Sequence, residues 1–516
     1  MNMIAAAALA FTAVLAFAAA PSLVEWIGIT EIAEGRGEKG AWRQNDSRYD
    51  YVDDATVAFD SADGVKVAWV DQKKKDVFHQ SLSADGTAQG RPVNVSRNPA
   101  TFSWLPRMVV APGDPGKIGL LWQEIIFSGG SHGGDILFAR STDGGASFSA
   151  PINLSNSRGG DGKGRLDRDT WSNGSLDLAM APDGALLAAW TEYDGMLWLA
   201  RSTDGGASFS RPVHVAGDGK RPARGPSLAT GPGQTVYLAW TVGADRSADI
   251  SVAQSDDGGQ TFGRPHVVGA GPGHADAPRL AAGRTGTLHL VYAESEDGPS
   301  GRYHVRYAQS IAGVGKFGIP QVISQPQRHA GNGAAYPAVA VDRQGTLHVA
   351  WELFQGASTR PLGLEFTVSR DDGHSFLPPQ LVPGSQDERG GTNGSHQGLL
   401  GKKLAVGGDG RIAVVNTSMK LGGHSRVWLM LGRMNASGTA GPLGEDHPAY
   451  CIPCFTDESG TPPCEVSDGL DKPRKAPNPR HHVTARGPWC LNGRSSLHTG
   501  RPRSSSHFIK KRLPSI

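Results

Sequence analysis

Acidic side chains close a series of apolar runs in this chain. Asp71 follows Trp69 by two residues, Glu124 follows Trp122, Glu192 follows Trp190 and Glu294 follows Tyr292, while Glu352 comes directly after Trp351. A second series stands just ahead of other apolar runs: Asp53, Asp54, Trp104, Arg107, Trp171, Asn173, Arg224, Asp276, Tyr336 and His396. Carboxyl groups, arginines, a tyrosine and tryptophans are what a glycan site uses. Glycoside hydrolysis ordinarily needs two carboxyl groups, one of which a tyrosine nucleophile can replace. Arginine offers a planar, permanently charged fork to a carboxylate, and tryptophan offers a flat platform. The bland alternative is that strand-end acids merely solvate a rim, since charged residues are mostly exposed.

The elements that would bring these residues together follow from an internal repeat. Ser-Thr-Asp-Gly-Gly-Ala-Ser-Phe stands at 141–148 and again at 202–209, with variants at 255–262 and 369–376. A weaker copy runs from Ser310 to Phe317. The closing phenylalanines, Phe148, Phe209, Phe262, Phe317 and Phe376, are 61, 53, 55 and 59 residues apart. Such a period with β-type content indicates a propeller or similar array. The phrase suits a tight turn. Asp143, Asp204, Asp257 and Asp371 can each accept backbone hydrogen bonds, and the glycines permit positive φ. These aspartates are therefore read as structural.

Each unit also carries two runs joined by a glycine-bearing turn, as in Pro337–Val341 and Thr346–Glu352. A third strand precedes the repeated phrase and a fourth follows it, which makes a four-stranded antiparallel blade. The chain is thus expected to be all-β, a propeller of six or seven blades with seven favoured, spanning residues 45–440. Unit seven lacks the turn phrase, and residues 22–36 are positioned to supply its missing strand. Six blades with an accessory sheet is the alternative. In an antiparallel blade the starts of first strands and the ends of second strands share one end, opposite the repeated turn. Both series of chemical residues therefore face one mouth.

The repeated phrase resembles the Asp-box, or BNR repeat, of the sialidase superfamily. In that superfamily an arginine of the carboxylate-binding triad begins the third strand of a late blade. A tyrosine nucleophile begins the first strand of the next. Arg302 and Tyr336 fall on those places, and the resemblance implies retaining hydrolysis with Glu192, Glu294 or Glu352 as the base. The family's first arginine lies in an Arg-Ile-Pro motif on the first blade, where this chain reads Asp53-Asp54-Ala55-Thr56-Val57. Arg107 and Arg224 are the available substitutes, and Asp53 or Asp54 stands near the family's acid/base aspartate. Trp104 and Trp171 are candidate platforms. Two readings stay open: an exo-glycosidase of sialidase type, and a non-catalytic propeller that binds a glycan or protein.

The remaining segments bear on compartment. Residues 1–20 are apolar, alanine-rich and end in small residues, as in an export signal, so a periplasmic or extracellular location is expected. No other apolar run is long enough to span a bilayer. Cys451, Cys454, Cys464 and Cys490 all lie after residue 440. Disulfides are the default for an exported chain, and a metal at Cys451, Cys454 and Cys464 is the alternative reading of segment 441–470. Residues 472–516 carry eleven Lys/Arg and no Asp/Glu, which leaves the preceding chain at −9. This basic end, 471–516, has the composition of a disordered extension. No P-loop, HExxH or GxSxG motif is present. Nothing in the sequence requires a cofactor or places nucleic acid on the propeller; a glycan or glycoprotein is the expected ligand.

Overall fold

The computed structural model describes residues 22–435, apart from 42, 44, 129–130, 156–175, 193–194, 244–246, 270, 272, 284–285, 312, 325–331, 356–359, 388 and 394–400. Seven antiparallel blade sheets follow one another along the described chain, beside a two-stranded ribbon of Glu38–Lys39 and Tyr49–Asp50. Blade 1 comprises Val52–Phe59, Val65–Asp71, Asp76–Leu82 and Ala88–Asn94. Blade 2 comprises Phe102–Ala111, Asp114–Ser128, Ser131–Ser141 and Ile152–Asn153. Blade 3 comprises Leu176–Met180, Leu186–Thr191, Leu197–Ser202 and Val213–Ala216. Blade 4 comprises Ala223–Thr230, Val236–Val242, Asp249–Ser255 and His266–Val268. Blade 5 comprises His274–Ala282, Leu288–Ser295, His304–Ser310 and Gln321–Val322. Blade 6 comprises Gly333–Val341, Leu347–Phe354, Gly363–Ser369 and Gln380–Leu381.

Blade 7 closes the ring with strands from both ends of the described chain. Two short inner pieces, Thr392–Asn393 and Leu404–Val406, pair with Arg411–Lys420, which pairs with His424–Met434. The outermost strand is Val24–Gly35, in register from Val24 opposite Met434 to Gly35 opposite Ser425. The segment expected to complete the seventh blade does so. Early and late chain are thereby joined by a backbone hydrogen-bond ladder inside blade 7.

The core lies between blades. Second strands such as Leu186–Thr191 are buried along their whole length, so they read as continuous apolar runs and do not alternate. Trp122, Trp190, Trp351 and Trp428 are fully enclosed. Val67 and Trp69 of blade 1 meet Val427 and Leu429 of blade 7, while Ala68 and Val70 on the other face meet Leu120 and Trp122 of blade 2.

The repeated turns fasten one blade to the one before it. Ser141 Oγ donates to Asp143 Oδ1 at 2.8 Å, and the amides of Gly145 and Ser147 donate to Ser141 Oγ and Asp143 Oδ1 at 2.9 Å each. The same bonds recur at Asp204, Asp257 and Asp371. Hydrogen bonds from Ser147 and Thr261 hold Asp143 and Asp257 down to about 2. Each turn then reaches its neighbour. Phe148 packs edge-on against His79, Phe209 against Phe138 and Phe376 against Tyr307, with ring centroids 5.3, 4.9 and 4.9 Å apart. At Gly206 φ is +83°, and a Cβ there would lie 2.5 Å from Phe138. Glycine is needed twice at that position, for its backbone and for its closeness. The aspartates are spent on the turn, as the local chemistry of the phrase anticipates.

Candidate functional site

The mouth is shaped by one irregularity repeated in five blades. Pairing between first and second strands slips after Asp53, Trp104, Arg224, Asp276 and Ala335. The next residue is left-handed each time: Asp54, Leu105, Gly225, Ala277 and Tyr336, with φ of 56°, 57°, 62°, 55° and 53°. Proline follows in four of the five, as Pro106, Pro226, Pro278 and Pro337. A bulge residue has no ladder partner, so the absent N–H of proline costs nothing there. The recurring X-Pro pair was a legible signal for these positions. A bulky residue held at φ 53° is a steric outlier. Tyr336 is therefore kept in place by its surroundings at a cost.

Around Tyr336, blades 4, 5 and 6 converge. One terminal nitrogen of Arg224 donates to both oxygens of Asp276, each at 2.8 Å, and its Nε donates to the Gly243 carbonyl at 3.0 Å. Thr241 Oγ1 donates to Asp276 Oδ1 at 3.0 Å. Arg224 Nη2 lies 3.3 Å from His274 Nε2. Burial opposes the charge on Asp276, but Arg224 overcomes it and holds the carboxyl below its usual range. The Tyr336 hydroxyl is pushed up to about 12, first by burial and then by Asp276, with Arg224 opposing. The Tyr303 hydroxyl is raised for the same two reasons. It donates to the Pro299 carbonyl at 3.1 Å, while its ring stands edge-on to His274 at 6.2 Å. Tyr336 packs against Phe354 with centroids 6.1 Å apart.

Arg302 stands exposed beside this group. A Cβ built on Gly333 would lie 3.3 Å from Arg302 Cγ, 3.5 Å from the Tyr303 carbonyl oxygen and 3.7 Å from Phe354 Cβ. The side chains of Arg302 and Phe354 and the backbone of Tyr303 thus meet over one glycine of blade 6. Among the described residues the Arg302 guanidinium has no carboxylate partner. His274, Thr241 and Tyr303 were not singled out from the sequence. What marks them is contact: Thr241 with Asp276, His274 with Arg224, and Tyr303 with the His274 ring.

The other expected residues are placed differently. Arg107 is 1% exposed and donates to the carbonyls of Leu176 and Pro106 at 3.2 and 3.0 Å; burial and Arg279 lower it to about 10. Trp104, at 9% exposure, packs in the core with Phe102 and Leu105 and offers no open platform. Glu352 is enclosed between blades 6 and 7, bound by Lys403 and by Asn416 Nδ2 at 2.8 Å. Glu294 pairs with Arg306. Glu124 is buried and accepts from Asn98 and Thr101. Glu192 is half-buried in the turn that ends the second strand of blade 3. Asp53 and Asp54 are both buried, and Asp54 Oδ2 accepts from the Leu105 amide at 3.0 Å. Lys402 of blade 7 reaches Asp177 of blade 3 at 3.1 Å, an ion pair across the ring. Trp171, Asn173, His396 and the cysteines Cys451, Cys454 and Cys464 lie outside the described residues.

Of the sequence-derived set, then, Arg224 and Tyr336 lie together, and Arg302 adjoins them through Gly333 and Phe354. Among the described residues no three-arginine fork forms there, because Arg224 is engaged by Asp276 and Arg107 is buried under carbonyls. Among the described residues no group of three or more His, Cys, Asp or Glu is gathered as for a metal ion. Two concavities, of about 250 and 590 Å³, open on the turn-bearing end, the second lined by Lys66, His79, Arg91 and Asp143.

No family model matches the chain, and no curated protein matches it in sequence. Several solved structures are similar. An alpha-L-arabinanase from Penicillium chrysogenum, complexed with arabinobiose, is 16% identical, covering 63% of this chain and 92% of its own with a TM-score of 0.43. The Hadza microbial sialidase Hz136 is 14% identical, covering 59% and 65%, with a TM-score of 0.41. The polysaccharide lyase Uly1 is 12% identical, covering 80% and 99%, with a TM-score of 0.49. The seven-bladed architecture itself rests on the paired strands of this chain.

Proposed function

We propose that the protein is an exported, glycan-acting propeller that takes a sugar into the mouth between blades 4, 5 and 6. The observation that carries this reading is Tyr336, held left-handed at the mouth near the ionised Asp276 and packed on Phe354. Strained residues persist where the surrounding structure over-determines them, and they cluster at functional sites. Arg302 suits an acidic substituent, and Tyr303, Tyr336 and Phe354 suit the apolar face of a sugar ring.

The chemistry proposed is retaining hydrolysis. Tyr336 Oη would attack the anomeric carbon as the glycosidic C–O bond breaks. Its proton would pass to Asp276, and the departing oxygen would take a proton from solvent at the open mouth. Water would then release the sugar from tyrosine. Asp276 is better suited to this role than Glu352, whose carboxylate is enclosed and bound by Lys403 and Asn416.

A second reading, glycan binding without turnover, has its own support. The Tyr336 hydroxyl lies at about 12 and Arg224 is already engaged, so the resting site is not poised for attack. The discriminating experiment is hydrolysis of a fluorogenic α-sialoside by the wild type and by Tyr336→Phe. Turnover lost in the variant supports hydrolysis through tyrosine. Equal turnover in both removes Tyr336 from the mechanism, and none in either, with glycan binding retained, favours the binding reading.

A further inference from the structure

Buried polar atoms without partners are uncommon, and each calls for an explanation. Four of them collect at the mouth end of the seam between blades 1 and 2: Asp53 Oδ2, both side-chain atoms of Gln72, and Ser103 Oγ. Asp53 and Gln72 are each 1% exposed and Ser103 is fully enclosed.

The register brings them together. Asp53 pairs with Val70, and opposed residues of antiparallel strands share a face. Gln72 lies two residues beyond Val70, and its amide donates to the Tyr51 carbonyl at 2.9 Å. Side chains alternate along a strand, so Tyr51, Asp53, Val70 and Gln72 all point to one side. That side faces blade 2, because Val70 packs with Leu120 and Trp122. Residues 103–105 of blade 2 run along the same space. The Ser103 amide donates to the Lys75 carbonyl at 2.9 Å, and the Leu105 amide donates to Asp54 Oδ2 at 3.0 Å. Tyr49, Tyr51 and Phe102 cover it, with Tyr49 5.6 and 5.5 Å from the other two rings.

We propose that this seam is a binding site for a hard cation of the calcium class, held by the Asp53 carboxylate, the Gln72 amide oxygen and the Ser103 hydroxyl. The donor set carries the choice of ligand. Carboxylate, amide carbonyl and hydroxyl oxygens are ligands of hard cations, and no nitrogen or sulfur ligand is among them. Burial first and Asp54 second raise the Asp53 carboxyl well above its usual range, against the pull of Lys403 and Lys39, and a bound cation would supply the counter-charge that lets it ionise. Asp54 adds a second carboxylate next to the first. The ion would tie the starts of two first strands together and so fix one side of the mouth, remote from the turn-bearing end.

Terbium, which substitutes for calcium and emits when an excited tyrosine or tryptophan lies close, tests this directly. Tyr51 and Trp104 adjoin the ligands in sequence. The purified full chain, stripped with a chelator, should give aromatic-sensitised terbium emission that calcium displaces. Added calcium should also raise its melting temperature, by about 3 °C at a hundredfold excess over the dissociation constant. Asp53→Asn and Gln72→Met should each lose both responses, while Asp143→Asn at the opposite end keeps them. Three results would overturn the proposal: no response in the wild type, responses that survive in both seam variants, or responses lost only in Asp143→Asn. If the seam held water alone, neither ion would act, and Gln72→Met would be as stable as the wild type.

Discussion

Replacing Tyr336 by alanine and by glycine separates what the ring contributes from what the backbone costs. Both substitutions remove the packing against Phe354, so that loss cancels in their difference. At an ordinary strand position glycine is less stable than alanine by about 0.5–1 kcal/mol, from lost chain entropy. At φ 53° the order should reverse. The left-handed region costs an L-residue about 1–2 kcal/mol and costs glycine nothing. The net expectation is that Tyr336→Gly exceeds Tyr336→Ala by about 1 kcal/mol, roughly a fivefold change in the unfolding equilibrium. Urea denaturation followed by tryptophan fluorescence reads this, since Trp351 is fully enclosed in the same blade; the slopes must agree for the midpoints to be compared. Both variants should lose glycan affinity. Alanine as stable as glycine, or more so, would refute the strained geometry on which Tyr336 is identified. Ala277, left-handed at φ 55°, offers a repeat. There the buried methyl, worth about 0.8 kcal/mol, is lost as well, so the advantage of glycine should shrink from about 1 kcal/mol to near zero.

The repeated turns predict a contrast between adjacent glycines. At Gly205 the nearest atom to an added Cβ is 3.9 Å away, at Gly206 it is 2.5 Å, and both have positive φ. Gly205→Ala should cost about 1 kcal/mol and Gly206→Ala about 2–4 kcal/mol, since the second also overpacks Phe138; equal losses by thermal denaturation would contradict blade-to-blade fastening. Acid should act through His289, which burial lowers to about 4 against the opposing pull of Asp372. A histidine depressed in the folded state contributes stability that is whole above pH 6.5 and lost as pH falls towards 4. At about 1.4 kcal/mol per unit, this amounts to about 3 kcal/mol by pH 4.5. His289→Gln should flatten the dependence of unfolding free energy on pH between 7 and 4.5 by that amount, and an unchanged slope would exclude His289 as its source.

Fold and site differed in how far the sequence revealed them. The turn phrase is local chemistry: a serine, an aspartate and the glycine four residues after the serine make the same bonds in four places. Its regular spacing announced the propeller, and the need for a seventh outer strand pointed to the residues that became Val24–Gly35. The site was half legible. Counting strand starts placed Arg224, Asp276 and Tyr336 at the mouth, but what joins them crosses three blades and leaves no mark on any one stretch. The acids misled for the same reason. Glu124, Glu294 and Glu352 end their strands like open rim residues, yet Asn98, Arg306 and Lys403, from elsewhere in the chain, cover them. Trp104 begins a strand but turns into the core. The left-handed bulges were written in the recurring X-Pro pairs and become intelligible only with the backbone in view.

Binding tests the mouth most directly. Titrating acidic and neutral oligosaccharides into the wild type, Tyr336→Ala, Arg302→Ala and Arg91→Ala, with Arg91 lining the groove at the opposite end, separates the two faces. If the mouth is the glycan site, Tyr336→Ala and Arg302→Ala lose affinity by tenfold or more, about 1.4 kcal/mol, and Arg91→Ala binds as the wild type does. Affinity lost in Arg91→Ala and retained in both mouth variants would contradict the assignment and move the site to the turn-bearing end.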